Sequence, residues 1–416
     1  MSGLIQRCLG IVAILAVFYF VPANVNAGVF SECSPCGEVL CGPCEPARTT
    51  KTSQWEFGGW VEAGFYANQY GQRNSYQPGK NHNLYIPGNS ELLSNVQRSD
   101  FQMNQVWLYF EKPLDTRRGF DLGGRVDFVY GTDAFYMQSD GLEFRSRTAN
   151  FGQDNSWGKG DYYASVAQLY AEVGFRDVSV QVGKFGSPFG YESDMSPDRF
   201  FYSWSYSADF MPNTHSGVMA TWAANDKLSL VGGWSGGMNQ TFYNQDDNTI
   251  IFGAIFTPVQ KISLEYYGAV GRDKSRHNST GGNFNDHYFF QSLIMSLKPN
   301  NRWEYVLEWS LCNMNNGMKP REYSGFYGIN NELICRLNEQ WAVGFRAEWM
   351  HAFEGEGDNA NFYEYTVGLN WTPSKWLLVR PEMRYDRYFG ADNPFNTQRA
   401  PRSEQFSGGV SAVVKF

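Results

Sequence analysis

The chain has 416 residues, of which 17% are aromatic and 18% are charged, and its formal net charge at pH 7 is −8. This acidic balance argues against nucleic acid as a partner. Beyond an apolar run near the N-terminus, no segment approaches the roughly twenty apolar residues that a membrane-spanning helix needs, so a helical membrane protein is excluded. Many aromatic residues without long apolar runs fit a β-barrel whose aromatic side chains face lipid and whose polar side chains line a lumen.

Residues 1–27 have the features of a secretory signal peptide. Arg7 gives the segment a positive start, and a short apolar run follows over residues 9–21. Ala27 then supplies the small residue that precedes a cut at Gly28. We therefore expect the protein to be exported.

Residues 28–54 are rich in cysteine, proline and glycine, which predicts a loop-like periplasmic extension rather than a folded domain. Two CxxC pairs lie in this segment, formed by Cys33, Cys36, Cys41 and Cys44. Local or intermolecular disulfides are the simpler interpretation in an oxidising compartment. A zinc site is the alternative, although the two pairs are close together for a single metal ion. No His follows either pair, so the haem-attachment pattern is missing.

From Trp55 onwards, apolar and polar residues alternate with a period of two in many short stretches, which indicates β-strands with one apolar face. In one stretch, Val126 and Phe128 alternate with Arg125 and Asp127. The clearest stretches are 55–68, 120–130, 167–175, 303–311, 341–349 and 377–386. The stretches 100–112, 214–223 and 322–337 alternate less clearly. The whole pattern predicts about sixteen strands, with a range of about 14 to 18.

Short and long connections between these stretches alternate along the chain. The expected short turns are 112–118, 176–177, 224–226, 258–260, 299–301, 338–339 and 372–374. The expected long loops are 70–99, 132–164, 186–213, 237–248, 272–285, 314–321, 354–360 and 389–403. Short turns at one end and long loops at the other are typical of outer-membrane barrels. The sequence therefore predicts an all-β fold, in which residues 55–416 form a transmembrane, antiparallel, up-and-down β-barrel.

Several tryptophans lie within a few residues of the expected short turns. They are Trp222, Trp303, Trp341, Trp371 and Trp376. Indole rings favour the boundary between lipid and water, where the ring is in an apolar region and its N–H can be hydrated. We therefore expect an aromatic belt on the short-turn side of the barrel.

The last twelve residues form the clearest single strand. Phe406, Val414 and the terminal Phe416 fall on one face. The other face is small or polar, with Val413 as its one apolar exception. Such a strand suits lipid on one side and water on the other, and we expect it to close the barrel against the first strand. The terminal Phe416 resembles the assembly signal of bacterial outer-membrane barrels, so we expect the barrel-assembly machinery to bind this strand.

Three motifs lie around the third long loop. Residues 183–192 read GKFGSPFGYE, residues 200–206 read FFYSWSY, and residues 212–218 read PNTHSGV. Together they resemble the β-barrel porin-2 (OmpL-like) family, and the resemblance extends from about residue 55 to the C-terminus. The resemblance implies a bacterial outer-membrane pore for small solutes that uses no cofactor.

The third long loop, 186–213, is the candidate constriction of this pore. The basis is an analogy with general porins, in which the third loop folds into the lumen and narrows it. The alternative is an ordinary surface loop whose charges are solvated. The charged residues that we place near the constriction are Lys184, Glu192, Asp194, Asp198, Arg199 and Asp209.

The polar face of the strands supplies the charges that we expect to line the lumen. The acidic members are Glu62, Asp121, Asp127, Glu172, Glu304, Glu308, Glu348, Glu382 and Asp386. The basic members are Arg125, Arg346, Arg380 and Arg384. The acidic excess predicts a mild preference for cations, because a narrow lumen repels solutes of like charge.

The sequence gives no support to an enzyme. The five His residues show neither HxxxH nor HExxH spacing, so a zinc hydrolase has no anchor. Paired carboxylates such as Glu304 and Glu308 could act as acid and base in a glycosidase, but water-facing carboxylates are expected in a pore. No catalytic, cofactor-binding or metal-binding residue is therefore predicted.

Passive diffusion of small hydrophilic solutes and ions is the function that the sequence favours. The rival interpretation is a plugged surface barrel that acts as an adhesin or as a structural outer-membrane protein. The expected partners are outer-membrane lipid, the diffusing solutes and the assembly machinery. The oligomeric state is left open, with a homotrimer as one option.

Overall fold

The computed structural model describes residues 55–70, 100–146, 153–154, 157–159, 162–241, 247–273, 286–315, 323–354, 358–390, 395 and 402–416. The predicted signal peptide, the extension and its four cysteines lie outside the described residues. So do most of the first predicted long loop and parts of several others. In the part of the chain that the structure describes, no helix is long and apolar enough to cross a membrane.

Sixteen long strands form one closed antiparallel barrel, in which each strand pairs with its sequence neighbours and the last pairs with the first. The first eight strands are β1 (Glu56–Asn68), β2 (Asp100–Lys112), β3 (Phe120–Gly131), β4 (Tyr162–Phe175), β5 (Val178–Gly186), β6 (Thr214–Asn225), β7 (Leu228–Met238) and β8 (Asn248–Val259). The other eight are β9 (Ile262–Asp273), β10 (Asp286–Asn300), β11 (Trp303–Asn315), β12 (Tyr323–Arg336), β13 (Trp341–Glu354), β14 (Asp358–Ser374), β15 (Leu377–Phe389) and β16 (Glu404–Lys415). The predicted up-and-down barrel of about sixteen strands is confirmed.

The alternation of short and long connections is confirmed with two corrections. The connection between β13 and β14 spans only residues 355–357, whereas the sequence indicated a longer loop at 354–360. Polar residues such as Asp358 and Asn359 suggested a loop, but their backbones continue the ladder opposite Glu354 and Phe353. The predicted turn at 372–374 lies within β14, and the chain turns at residues 375–376 instead.

The apolar face of the strands points outward and the polar face points into the barrel. On β16, Phe406, Val410 and Val414 are 54%, 42% and 40% exposed. Gln405 and Ser411 on the opposite face are buried. This reverses the arrangement of a soluble protein, as expected when the outer surface meets lipid. The one apolar exception, Val413, is buried inside the barrel in a cluster with Trp60, Trp107 and Leu378.

The tryptophans near the short turns lie where an aromatic belt requires them. Trp222, Trp371 and Trp376 are exposed. Trp341 and Trp371 stack across β13 and β14 with their ring centroids 5.5 Å apart. These rings cover the short-turn end of the strands, where lipid gives way to water.

The barrel closes at its C-terminal residue. Gly59 and Phe416 exchange two backbone hydrogen bonds of 3.0 and 2.9 Å. The Phe416 ring lies directly over Gly59, where a Cβ atom would stand 2.9 Å from a ring carbon. The terminal residue therefore extends the pairing of β16 with β1 and shields that seam from lipid.

Deletion of Phe416 is expected to lower the amount of protein assembled in the outer membrane. The truncated chain loses both hydrogen bonds and the ring at the seam, and it also loses the proposed assembly signal. The measurement is the level of heat-modifiable, folded protein in outer-membrane fractions. A truncated protein present at the normal level would contradict this role.

Candidate constriction of the lumen

The connection between β5 and β6, residues 187–213, lies inside the barrel. It contains a 3-10 turn at Ser196–Asp198 and a short helix, α1, at Tyr206–Phe210. Ser205 caps α1, because its side chain accepts a hydrogen bond of 3.1 Å from the Ala208 N–H. The aromatic side chains that this segment buries are Phe189, Phe200, Phe201, Tyr202, Trp204 and Tyr206. We call residues 187–213 the inserted loop.

Carboxylates on the opposite wall accept hydrogen bonds from the backbone of the inserted loop. Glu348 on β13 accepts from the N–H groups of residues 206 and 207 at 2.6 and 2.7 Å. Glu382 on β15 accepts from those of residues 202 and 203 at 2.7 and 3.0 Å. Glu308 on β11 accepts from the Tyr191 N–H at 3.3 Å. An irregular segment cannot pair its own backbone, so these carboxylates replace the hydrogen bonds that water would otherwise supply.

Guanidinium groups on the same wall donate to the carbonyl groups of the inserted loop. Arg380 donates to the carbonyl oxygens of residues 196 and 199 at 2.9 and 2.8 Å. Arg384 donates to that of Trp204 at 2.6 Å, and Arg346 donates to that of Ser203 at 2.9 Å. A guanidinium presents several donors in a rigid fork, so one Arg can hold the loop and a carboxylate together.

These wall charges also pair with one another across neighbouring strands. In the sheet register, Glu364 on β14 stands opposite both Glu348 on β13 and Asp386 on β15. Arg346 and Arg384 occupy the inward-facing positions just before Glu348 and Asp386. Both reach Glu364, at 2.7 and 3.0 Å. All of these side chains are buried. Removal of any one of these side chains would leave the remaining buried charges unbalanced. The network is therefore sensitive to substitution.

Apolar contacts add to the polar anchoring of the inserted loop. Phe189 packs against Phe290 on β10 with ring centroids 4.7 Å apart, and Tyr206 packs against Phe362 on β14 at 5.3 Å. Both loop residues belong to an interior cluster that also includes Ile251, Phe326 and Met350. Burial of each large apolar side chain contributes about 1.5–3 kcal/mol. The loop is therefore held in the lumen by packing as well as by hydrogen bonds.

Glycines let the inserted loop lie close to the wall and turn back on itself. The Phe200 ring lies against Gly344, where a Cβ atom would stand 2.3 Å from a ring carbon. Gly190 has a φ of +84°, and a Cβ atom there would stand 2.6 Å from the sulfur of Met211. A side chain at either position would force the loop to move.

The six charged residues predicted near the constriction have different surroundings. Glu192 forms an ion pair with Arg346 and accepts from the Ser205 N–H at 2.7 Å, so it belongs to the anchoring network. Arg199 is buried between Glu62 and Asp133, at 3.3 and 3.4 Å. These two predicted residues thus hold the loop in place.

The other four predicted residues are Lys184, Asp194, Asp198 and Asp209. Lys184 lies on β5 and is buried in a pair with Glu143. Partial burial raises the pKa of Asp194 to about 6, opposed by a hydrogen bond from Asn213 and by the charge of Arg199. Asp209 lies in α1 and is half-buried. Asp198 is exposed at the end of the 3-10 turn, so it is the member of this set that faces water most openly.

The thirteen residues predicted to line the pore divide into two groups. One group is buried against the inserted loop or paired beside it; its members are Glu62, Glu308, Arg346, Glu348, Arg380, Glu382, Arg384 and Asp386. The other group lies elsewhere on the strands, although Arg125 reaches the Met195 sulfur of the inserted loop at 3.7 Å; its members are Asp121, Arg125, Asp127, Glu172 and Glu304. In the second group, Arg125 pairs with Asp127 at 2.6 Å and Glu304 pairs with Arg336 at 2.9 Å.

His, Cys, Asp and Glu side chains in the described ranges are candidates for metal-binding and nucleophilic sites. Within them, no group of three or more His, Cys, Asp or Glu side chains is arranged to hold a metal ion. Cys312 and Cys335 are buried. His215 lies among Ser187, Ser235 and aromatic rings, with both ring nitrogens 3.3 Å from a Ser hydroxyl.

A family model supports the same interpretation. The model described as "Putative beta-barrel porin-2, OmpL-like" matches residues 54–416, which is the whole barrel. No curated protein matches the sequence of this chain.

Solved porin structures resemble the barrel over most of its length. OmpT of Vibrio cholerae in a trimer form is 11% identical, with a TM-score of 0.56, covering 87% of this chain and 99% of that one. The anion-selective porin from Comamonas acidovorans is 8% identical, with a TM-score of 0.53 and coverages of 87% and 99%. The outer membrane channel DcaP of Acinetobacter baumannii is 10% identical, with a TM-score of 0.51 and coverages of 87% and 97%. At these identities the likeness shows the fold alone.

Proposed function

The chain belongs to the β-barrel porin-2 (OmpL-like) family, and on this basis we propose that it is an outer-membrane porin for the passive diffusion of small hydrophilic solutes and ions. The inserted loop is its constriction. The partners under this proposal are outer-membrane lipid, the solutes and the barrel-assembly machinery. One similar structure is described as a trimer form, so a homotrimer of this chain is part of the proposal.

The observation that carries this proposal is the position of the inserted loop within a closed barrel. Residues of the loop bond to β11, β13 and β15, on the far side of the barrel from the strands that it connects. A loop that crosses a lumen sets the cross-section of the remaining path, and its exposed charges meet the passing solutes. Asp198 on the loop supplies such a charge.

Liposome swelling tests the pore directly. Liposomes that contain the purified protein are expected to swell in small sugars and to swell more slowly as the sugar size increases, because the inserted loop limits the cross-section. The same liposomes without protein give the baseline. Swelling at the baseline rate with every sugar would contradict the porin function.

The charges of the inserted loop support a mild preference for cations. The loop contains Glu192, Asp194, Asp198 and Asp209 but one basic residue, Arg199. We expect the reversal potential across a salt gradient to give a cation-to-anion permeability ratio above one. Asp198→Asn should lower this ratio, since it removes the exposed acidic charge of the loop. Glu339→Gln, at an exposed turn outside the lumen, is the matched control and should leave the ratio unchanged. Clear anion selectivity of the natural protein would contradict the preference.

The rival function is a plugged barrel that acts as an adhesin or as a structural protein. The observation in its favour is the apolar cluster inside the barrel, where Phe189, Tyr206 and Met211 of the inserted loop pack against several strands. A lumen filled in this way at every level would not conduct. Conductance therefore separates the two functions.

A further inference from the structure

We infer that a second inserted segment, residues 132–144, narrows the lumen together with the inserted loop, and that Lys184 is the positioning residue that holds this segment in the barrel. The inference rests on the proposed porin function and adds a second element to its constriction. Residues 132–144 are here called the second insert.

The second insert turns into the barrel at the end of β3. Gly131 has a φ of +146°, and a Cβ atom there would stand 2.1 Å from the carbonyl oxygen of Asn104. Glycine thus allows the chain to leave the sheet and bend inward at this point. The side chains that the second insert buries include Asp133, Ala134, Met137, Gln138, Asp140 and Glu143.

A buried ion pair attaches the second insert to the wall. The Lys184 ammonium on β5 donates to Glu143 at 2.8 Å and to the carbonyl oxygen of Met137 at 2.9 Å. Glu143 also accepts from the Ser165 hydroxyl at 2.9 Å and from the Val166 N–H at 3.1 Å, both on β4. One carboxylate therefore joins the second insert to two strands, and its charge is compensated by Lys184.

A shared set of hydrogen bonds joins the second insert to the inserted loop. The side-chain amide of Gln105 on β2 donates both to Asp133 and to the carbonyl oxygen of Asp194, each at 2.8 Å. Arg199 of the inserted loop lies 3.4 Å from Asp133. Displacement of the second insert therefore removes support from the inserted loop.

The two segments both contact β2, and each also contacts other strands of the wall. The second insert contacts β2, β4 and β5 through Gln105, Ser165 and Lys184. The inserted loop contacts β11, β13 and β15 through Glu308, Glu348 and Glu382. The second insert therefore adds its own contacts with β4 and β5, and it narrows the lumen beside these two strands.

Single-channel recording of Lys184→Met tests this inference. The variant leaves Glu143 buried without its counter-charge, so the second insert should detach and the conductance should rise roughly two-fold as the path widens. Deletion of residues 133–144 should give a similar rise. The double variant Glu143→Gln with Lys184→Met removes both charges and should return the conductance toward the natural value. A purely structural role for Lys184 would change the yield of channels but not the conductance of each one.

The controls separate this inference from the proposed function. Arg117→Met removes a cation from an exposed pair with Asp115 in the short connection between β2 and β3, away from the second insert, and it should leave the conductance unchanged. Single-channel steps arise only from folded, inserted barrels, so a low yield does not obscure the result. If the natural protein conducts, and both Lys184→Met and the deletion keep its conductance, the inference is overturned while the porin function stands. A natural protein without any steps would refute the porin function itself.

Discussion

Deletion of residues 192–208 is expected to raise the single-channel conductance several-fold and to weaken the ion preference. The deleted stretch contains the 3-10 turn, the aromatic residues 200–206 and the exposed Asp198. Its loss opens the lumen in front of β13–β15 and removes an acidic charge from the path of the ions. The barrel itself should persist, because each strand keeps its own ladder of hydrogen bonds with its neighbours.

The measurement is single-channel recording in planar bilayers, with ion selectivity determined from the reversal potential. Glu339→Gln, at an exposed turn outside the lumen, is the control and should not change the conductance. Unchanged conductance and selectivity after deletion of residues 192–208 would show that the inserted loop does not constrict the pore.

Arg346→Met is expected to cause a large loss of stability. Arg346 pairs with Glu192 of the inserted loop and with Glu364 of β14, and it donates to the Ser203 carbonyl oxygen. The substitution leaves Glu192 without its ion-pair partner, and Glu364 keeps only its pair with Arg384. Breaking such a buried pair costs about 3–5 kcal/mol. The inserted loop should also become accessible to protease, since one of its main anchors is lost.

The measurement is the free energy of unfolding in urea, followed by tryptophan fluorescence in detergent. The matched control is Arg336→Met, which breaks the pair with Glu304 at a side chain that is 26% exposed. Arg336 is in contact with water and Glu304 keeps a second ion pair with Lys298 at 3.2 Å, so the loss should cost about 0–1 kcal/mol. Equal losses for the two variants would contradict a special role of Arg346 in anchoring the loop.

The fold could be predicted from the sequence because barrel strands leave a local signature. The period-two pattern and the lengths of the connections depend on residues that are close in the sequence, and both agree with the sixteen strands. The error at residues 354–360 also has a local cause. Asp358 and Asn359 are typical loop residues, yet backbone pairing can continue above the apolar band, where polar side chains are hydrated.

The arrangement inside the lumen could be predicted only in part. The sequence placed Arg346 on the polar face, but its partner Glu192 is 154 positions away, and no local pattern links the two residues. The second insert was not predicted, because the sequence indicated only a long loop at residues 132–164. Its aromatic and apolar stretch, Phe135, Tyr136 and Met137, was the available signal, since an exposed loop has little reason to contain such a run.

Planar-bilayer recording of the natural protein tests whether the barrel is an open, constricted pore. Purified protein is added to one side of a lipid bilayer in concentrated salt, and the current is followed at fixed voltage. We expect uniform, discrete steps with a conductance below that of the variant that lacks residues 192–208. Bilayers that stay silent, although heat-modifiable migration shows a folded barrel, would contradict the porin function and favour a plugged surface barrel.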